Sequence, residues 1–265
     1  MRQFGDLDLL VRRRDVSRAC TALLELGFKP QLSLSPRQDE FHLRTGNEYA
    51  FGIGAEPHLL ELQWQIVPRF YSIELDMDAL FARSTRIELG GTAVQAPGRD
   101  DLMLLLCIHA AKHEWSELGM FRDIATLAQF GLDWNWIWHE ARRRGIARIV
   151  QISLLAAHEL LGIELPEAGT LPAYDSAAAP FVSTILGNLR RNREPQTESL
   201  RYFRRQAQLR ERWRDRVRFA WRLGTTASVA EWEMLRLPDQ LSALYRAVRI
   251  VRLLKRFVAA GEKQR

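Results

Sequence analysis

The segment FGDLDLLV at residues 4–11, followed by VSRACTALLEL at residues 16–26, decides the fold at the start of the chain. Apolar and acidic residues alternate in the first segment with the two-residue period of a strand, so Asp6 and Asp8 project from the same face. The second segment carries an apolar stripe at helical spacing, which Gly27 ends. The chain is therefore predicted to open with a strand followed by a helix.

Several later segments extend this predicted sheet. Residues 41–43 and 49–53 are predicted to be short strands around a turn, and residues 85–94 are predicted to be a hairpin. Residues 59–66 alternate between apolar and polar side chains. The apolar positions are Leu60, Leu62, Trp64 and Ile66, and the polar positions are Glu61, Gln63 and Gln65. This alternation predicts a strand with one packed face and one polar face.

From residue 100 onward, apolar residues recur at helical spacing. The predicted helices cover residues 102–111, 121–130, 134–144 and 146–161, with Arg-rich helices after residue 179. Pro97-Gly98 marks the predicted boundary between a domain of residues 1–97 and a domain of residues 98–265. The sequence therefore predicts an α+β fold, in which a small mixed β-sheet with flanking helices precedes an all-helical C-terminal domain.

The composition is that of an ordinary globular protein, with 47% hydrophobic and 26% charged residues. The two cysteines, Cys20 and Cys107, lie within apolar helical patterns, which is typical of thiols in a reducing compartment. The N-terminal residues lack the apolar core of a signal peptide, and no apolar run approaches the roughly 18 residues that span a bilayer. We therefore expect a cytoplasmic protein without disulfide bonds and without membrane insertion.

Positive charge is concentrated late in the chain. The net charge is +6, and residues 190–222 contain twelve arginines and four acidic residues. Trp213, Phe219 and Trp221 lie among these arginines. One interpretation is a surface for RNA or for anionic lipid. The other is a set of solvated helices whose long arginine side chains cover apolar neighbours, and we favour this second interpretation.

The candidate chemistry lies in the acidic residues of the predicted sheet. Asp6 and Asp8 are two residues apart on a strand, so both carboxylates are within reach of a single hard cation such as Mg²⁺. Glu61 lies on the polar face of a later strand. Three carboxylates on neighbouring strands are typical of one- or two-metal sites that transfer phosphoryl or nucleotidyl groups. The Asp-x-Asp pair alone is frequent in unrelated proteins, so Glu61 is what makes the interpretation specific.

In their order along the chain, several segments resemble the uncharacterised nucleotidyltransferase family of the polymerase-beta-like superfamily. The segments are FGDLDLLV at residues 4–11, LGF at 26–28, FHL at 41–43, LELQW at 60–64, HAAKHEW at 109–115, FRDIA at 121–125, DW at 133–134 and the stretch at 237–245. The resemblance covers nearly the whole chain, and the ordered set is more specific than any one motif.

The resemblance implies a metal-dependent nucleotidyltransferase. It implies that Asp6 and Asp8 are paired magnesium ligands, and that Glu61 is the third carboxylate, which deprotonates the acceptor hydroxyl. The implied substrate is a nucleoside triphosphate such as ATP, and the implied product carries a nucleoside monophosphate on an acceptor that the sequence does not identify.

A second implied set binds the nucleotide and consists of His109, Lys112, His113 and Asp123. The first three are spaced i, i+3 and i+4, so they share one face of a helix. A lysine presented in this way can bind a triphosphate as a point charge. The alternatives are that the histidines form local hydrogen bonds in a packed helix pair, and that Asp123 pairs with Lys112 or Arg122.

The chain departs from the family in two places. The family has a Gly-containing phosphate-binding turn upstream of the aspartates, whereas only five residues precede Asp6 here. Gln63 stands where the family often has histidine. Two alternatives to an enzyme therefore stay open: a non-catalytic interaction module with this fold, and an RNA-binding protein that uses the Arg-rich region.

Overall fold

The computed structural model of the protein describes residues 6–53, 56–166, 175–192, 199–235 and 237–262. Its larger sheet has four strands: β1 Asp6–Leu10, β2 Lys29–Pro30, β3 Glu48–Ile53 and β4 Glu56–Gln63. Their order across the sheet is β1-β4-β3-β2. β1 runs parallel to β4, and the other neighbours are antiparallel, so the sheet is mixed as predicted.

Two helices cover one face of this sheet, α1 Val16–Glu25 and α2 Pro36–Thr45. The strand predicted at residues 41–43 was wrong, because these residues belong to α2. Ser35 caps this helix: its side chain accepts from the backbone of Gln38, whose side chain accepts from the backbone of Ser35, and Pro36 occupies the first turn. These start signals outweigh the short apolar run that resembled a strand.

The packed face of the sheet has the alternation that the sequence predicts. The buried residues that form this core are Val16, Leu23, Tyr49, Phe51, Leu60, Leu62 and Trp64. Residues at alternate positions of β3 and β4, among them Glu48, Glu61 and Gln63, therefore point to the opposite face. The sheet thus has one apolar and one polar face.

A short helix and a hairpin follow the sheet: α3 Met77–Ala82, β5 Thr85–Leu89 and β6 Thr92–Ala96. The predicted hairpin is confirmed. Gly90 and Gly91 form its turn with φ of 57° and 79°. This left-handed conformation is strained for residues with a side chain, which explains two consecutive glycines.

Helices make up most of the remaining chain. They are α4 Arg99–Lys112, α5 Leu118–Ala128, α6 Trp134–Arg144, α7 Ala147–Leu161, α8 Ala178–Arg190, α9 Leu200–Gln208, α10 Trp213–Thr225, α11 Val229–Met234 and α12 Tyr245–Glu262. Gly145 and Gly162 end α6 and α7 in the left-handed conformation. The fold is α+β, with a small mixed sheet and a helical C-terminal region.

The helical core extends to residues that precede α4. Val67, Tyr71 and Ile73 pack with buried residues of the helices. The domain boundary at residue 97 stays a prediction. Cys20 and Cys107 are free thiols, and none of the described helices is long and apolar enough to cross a membrane.

Candidate active site

The parallel pairing of β1 with β4 brings two of the predicted site residues together. Asp8 and Glu61 are direct partners in the register, so their side chains leave the same face of the sheet. The side-chain amide of Gln63 joins them, because Nε2 donates to Asp8 Oδ1 at 3.1 Å and to Glu61 Oε2 at 2.9 Å. The two carboxylate oxygens are therefore at most about 6 Å apart.

Asp6 occupies the same face of β1 by backbone register, with Leu59 as its partner on β4. Its side chain lies outside the described residues. Among the side chains that are described, no group of three or more His, Cys, Asp or Glu residues is arranged to hold a metal ion. A metal site made by Asp6, Asp8 and Glu61 together therefore stays a prediction.

Glu48 is a third carboxylate of this face that the sequence interpretation missed. It is the partner of Gln63 in the register of β3 with β4, and the Asn47 amide donates to it. Burial raises the pKa of Glu48; the charge of Lys112 opposes this shift, and the charge of Glu61 adds to it. The sequence interpretation places Glu48 in a turn between two strands. In the structure it begins β3, two residues before Ala50, which is the register partner of Glu61, so both lie on the polar face.

Lys112 reaches this acidic face from the end of α4. Its Nζ lies 3.6 Å from Glu48 Oε2, and its side chain is only 18% exposed. The helical part of the chain thus supplies the positive charge that faces the acidic residues of the sheet. His109 of α4 and His113, the residue that follows α4, flank Lys112, with ring centroids 4.7 Å apart.

Side chains of α9 hold the last turn of α4. The Tyr202 hydroxyl donates to the carbonyl of Lys112 at 2.8 Å, and Gln206 Nε2 donates to the carbonyl of Ala111 at 2.7 Å. The last carbonyls of a helix lack the usual partner within the helix, and these bonds help to satisfy them. The Ala111 carbonyl also accepts from the backbone of Glu114 at 3.2 Å. The bonds from Tyr202 and Gln206 also fix the backbone from which the Lys112 side chain projects.

The chain leaves α4 through two residues in the left-handed conformation. Glu114 and Trp115 have φ of 53° and 52°, and each such residue costs about 1–3 kcal/mol when it is not glycine. The buried Trp115 ring offsets this strain, with Nε1 donating to Ser153 Oγ at 2.8 Å. Glu114 Oε1 lies 3.3 Å from Arg205 Nη1 of α9, so the turn is anchored on both sides.

The comparison with known proteins identifies a family. A family model described as an uncharacterised nucleotidyltransferase matches residues 1–162, which is more than half of the 265 residues. The chain belongs to the uncharacterised nucleotidyltransferase family. No curated protein and no solved structure matches the chain.

The matched part of the chain contains the sheet, α4 and α5, and every predicted site residue lies within it. The α9 helix, which holds the end of α4, follows the matched part. The position of Lys112 thus depends on residues outside the family match. Asp123 is half-buried on α5, which packs on α4, and its predicted role in nucleotide binding stays a prediction.

His113 is expected to be neutral at pH 7. Burial lowers its pKa to about 4, and the charges of His109 and Lys112 add to the effect. Because the folded pKa lies below the unfolded value near 6.5, His113 contributes stability above pH 6.5 that is lost as the pH falls towards 4. We therefore do not expect His113 to offer a cation to a triphosphate at neutral pH.

An NMR titration of the His113 ring checks this prediction. The ring should stay neutral down to a pH of about 4, and His113→Gln should weaken the fall in the free energy of unfolding between pH 6.5 and 5. His139→Gln, at an exposed position of α6, controls for the loss of an imidazole. Titration of the His113 ring near pH 6.5 would contradict the burial argument.

Proposed function

We propose that the chain is a metal-dependent nucleotidyltransferase that moves a nucleoside monophosphate from a nucleoside triphosphate, such as ATP, to an acceptor hydroxyl. The observation that supports it best is the pairing of Asp8 with Glu61 through Gln63, on a polar sheet face that Lys112 approaches. We also propose a cytoplasmic location, because nucleoside triphosphates, the proposed substrates, are present in the cytoplasm. The proposal does not specify which molecule carries the acceptor hydroxyl.

The donor set fits a hard divalent cation. Asp8 and Glu61 offer carboxylate oxygens, the ligands that Mg²⁺ prefers, and their neighbouring negative charges repel each other in its absence. Asp6 and Asp8 would hold the ion, with Glu61 completing a one- or two-metal site. When bound, Mg²⁺ would neutralise charge on the phosphate oxygens and lower the pKa of the acceptor hydroxyl.

Each residue of the polar face has a role in this proposal. Glu61 takes the proton of the acceptor hydroxyl, whose oxygen forms a bond to the α-phosphorus while pyrophosphate leaves. Gln63 holds the Asp8 and Glu61 carboxylates at a fixed separation, a role that its amide fills without titrating. Lys112 binds the triphosphate as a point charge, and Glu48 keeps the lysine over the site before the nucleotide binds.

The test is transfer of label from α-labelled ATP with Mg²⁺ to a panel of acceptors that presents protein, sugar and RNA hydroxyls. Glu61→Gln keeps an acceptor for the Gln63 amide but removes the base. It should lower kcat by about 10²–10⁴-fold. The change in KM for ATP should be smaller, because Asp6 and Asp8 would still hold the ion. Glu25→Gln, at an exposed position of α1, is the matched control.

Two outcomes would count against the proposal. Unchanged transfer by the Glu61→Gln variant would remove the assigned base. Failure of the wild-type chain to bind any nucleoside triphosphate with Mg²⁺, measured by calorimetry, would favour the non-catalytic interaction module instead.

A further inference from the structure

The α10 helix presents an apolar ridge to solvent. Trp213, Val217 and Trp221 are 68%, 58% and 71% exposed. They are spaced by four residues, so they lie on one face of the helix. Its opposite face is packed, with Phe219 and Leu223 buried in the helical core. A row of two tryptophans and a valine in water is unusual for a surface without a partner.

Arg214 lies over the Trp213 ring, but Trp213 and Trp221 are still 68% and 71% exposed, so the long arginine side chains cover only a small part of this ridge. Arg212 donates to the carbonyls of Arg142 and Arg143, and Arg222 pairs with Glu74 at 2.9 Å. These side chains bind to the rest of the protein.

Two arginines border the ridge. Arg214 and Arg218 are exposed and follow Trp213 and Val217 in the sequence, on the adjoining face of α10. The Arg214 guanidinium lies 5.7 Å from the centroid of the Trp213 ring. The apolar row therefore has a cationic edge, at which the charge of Arg218 is partly offset by Asp215 Oδ1, 3.6 Å from its Nη1.

The neighbouring α12 helix is also apolar on an outer face. It packs on α10, and its exposed residues Ile250, Val251 and Leu254 are between 44% and 57% exposed. Its buried side chains include Arg249, which is held by ion pairing with Glu231. Both helices thus expose aliphatic or aromatic residues to solvent.

We propose that α10, with α12 beside it, docks on an anionic phospholipid membrane as a peripheral surface. Tryptophan rings favour the headgroup region of a bilayer, and arginines beside them are attracted to anionic lipids. The aliphatic residues Val217, Ile250, Val251 and Leu254 suit acyl chains, whereas single-stranded RNA would use the aromatic rings and the arginines and would leave these aliphatic side chains in water. The mixture of residue types therefore favours lipid, and the site is independent of the proposed transferase activity.

Co-sedimentation with vesicles tests the proposal. The full chain should bind vesicles of phosphatidylcholine and phosphatidylglycerol at a 3:1 ratio and should not bind vesicles of phosphatidylcholine alone. The double variant Trp213→Ser, Trp221→Ser should bind the anionic vesicles about 10-fold or more weakly, because the side chains that enter the interface are gone. Phe130→Ser, which removes an exposed aromatic residue of another surface, is the control and should bind normally.

One further double variant tests the contribution of charge, and two further probes test RNA and a second copy of the chain as occupants. Arg214→Gln with Arg218→Gln should weaken binding most at low salt, where charges are least screened. Circular dichroism of each variant shows whether it is folded. The proposal is overturned if the folded wild-type chain ignores anionic vesicles. The proposal is also overturned if the folded double tryptophan variant binds anionic vesicles normally. If that variant then loses retention of a single-stranded oligouridine, the ridge binds RNA. If it loses self-association in light scattering, the ridge binds a second copy of the chain.

Discussion

Asp8→Asn is expected to abolish magnesium-dependent nucleotide binding. Asparagine has the shape of aspartate, and its side-chain oxygen can still accept from Gln63 Nε2, as Asp8 Oδ1 does at 3.1 Å. The change therefore removes a charge and a proposed metal ligand while leaving the contact with Gln63 in place. Metal charge stabilisation is worth several kcal/mol, so kcat/KM should fall at least about 100-fold.

Calorimetric titration with ATP, with and without Mg²⁺, measures the loss in binding. Thermal unfolding of the Asp8→Asn variant should occur at the same temperature or higher, because one of two neighbouring negative charges is gone. Asp78→Asn, whose side chain is 84% exposed, is the matched control. Tight magnesium-dependent binding by the Asp8→Asn variant would refute the assignment of the metal site.

Glu231→Gln is expected to be the most destabilising conservative substitution among those considered. The Glu231 side chain is fully buried on α11 and accepts from the backbone of Ser228 at 2.6 Å. It also pairs with Arg249 at 3.2 Å and with Arg252. Removal of its charge breaks the ion pair with the buried Arg249 guanidinium, which still donates to the Leu223 carbonyl and to Ser228 Oγ. Breaking a buried pair by removing one partner costs about 3–5 kcal/mol.

Urea unfolding measures this cost. Glu233→Gln, two residues further along α11 and exposed, is the matched control and should leave the midpoint nearly unchanged. The neighbouring Trp232 contacts Phe41 of α2 with ring centroids 5.9 Å apart, so the loss of α11 should also loosen the helix that covers the sheet. An unchanged midpoint for Glu231→Gln would contradict the account of the buried pair.

The same substitution has a predicted pH dependence. Burial acts to raise the pKa of Glu231, but hydrogen bonds from Ser228 and the charges of Arg249 and Arg252 outweigh it, and the pKa is lowered. The stability from this group is therefore present above the unfolded pKa, near 4.3, and is lost as the pH falls through the folded value. The difference in unfolding free energy between wild type and Glu231→Gln should shrink on acidification.

Local patterns predict much of the fold. The alternation of residues 59–66 places Leu60, Leu62 and Trp64 in the core and Glu61 on the polar face, as the structure has them. Two consecutive glycines between short strand segments likewise predict the hairpin at Gly90-Gly91. The α2 helix was missed because the aromatic and leucine residues at 41–43 resemble a strand, whereas the signals for a helix lie upstream at Ser35 and Pro36.

The site was less accessible to prediction because it is assembled by tertiary contacts. Lys112 meets Glu48 across 64 positions of the chain, and no periodicity links the two. The role of Gln63 depends on the parallel register of β1 with β4, which the sequence of either strand does not specify. The exposure of Trp213 and Trp221 depends on which arginines bind elsewhere, and this is also a tertiary property.

The direct measurement of the central claim is a crystal structure of the chain with Mn²⁺ and a non-hydrolysable nucleoside triphosphate. Mn²⁺ substitutes for Mg²⁺ and is located by its anomalous scattering. The account predicts Mn²⁺ at about 2.0–2.2 Å from an oxygen of Asp8, on the sheet face that carries Glu61, with the triphosphate extending towards Lys112. Mn²⁺ and nucleotide bound away from that face, with Asp8 in contact with neither, would contradict it.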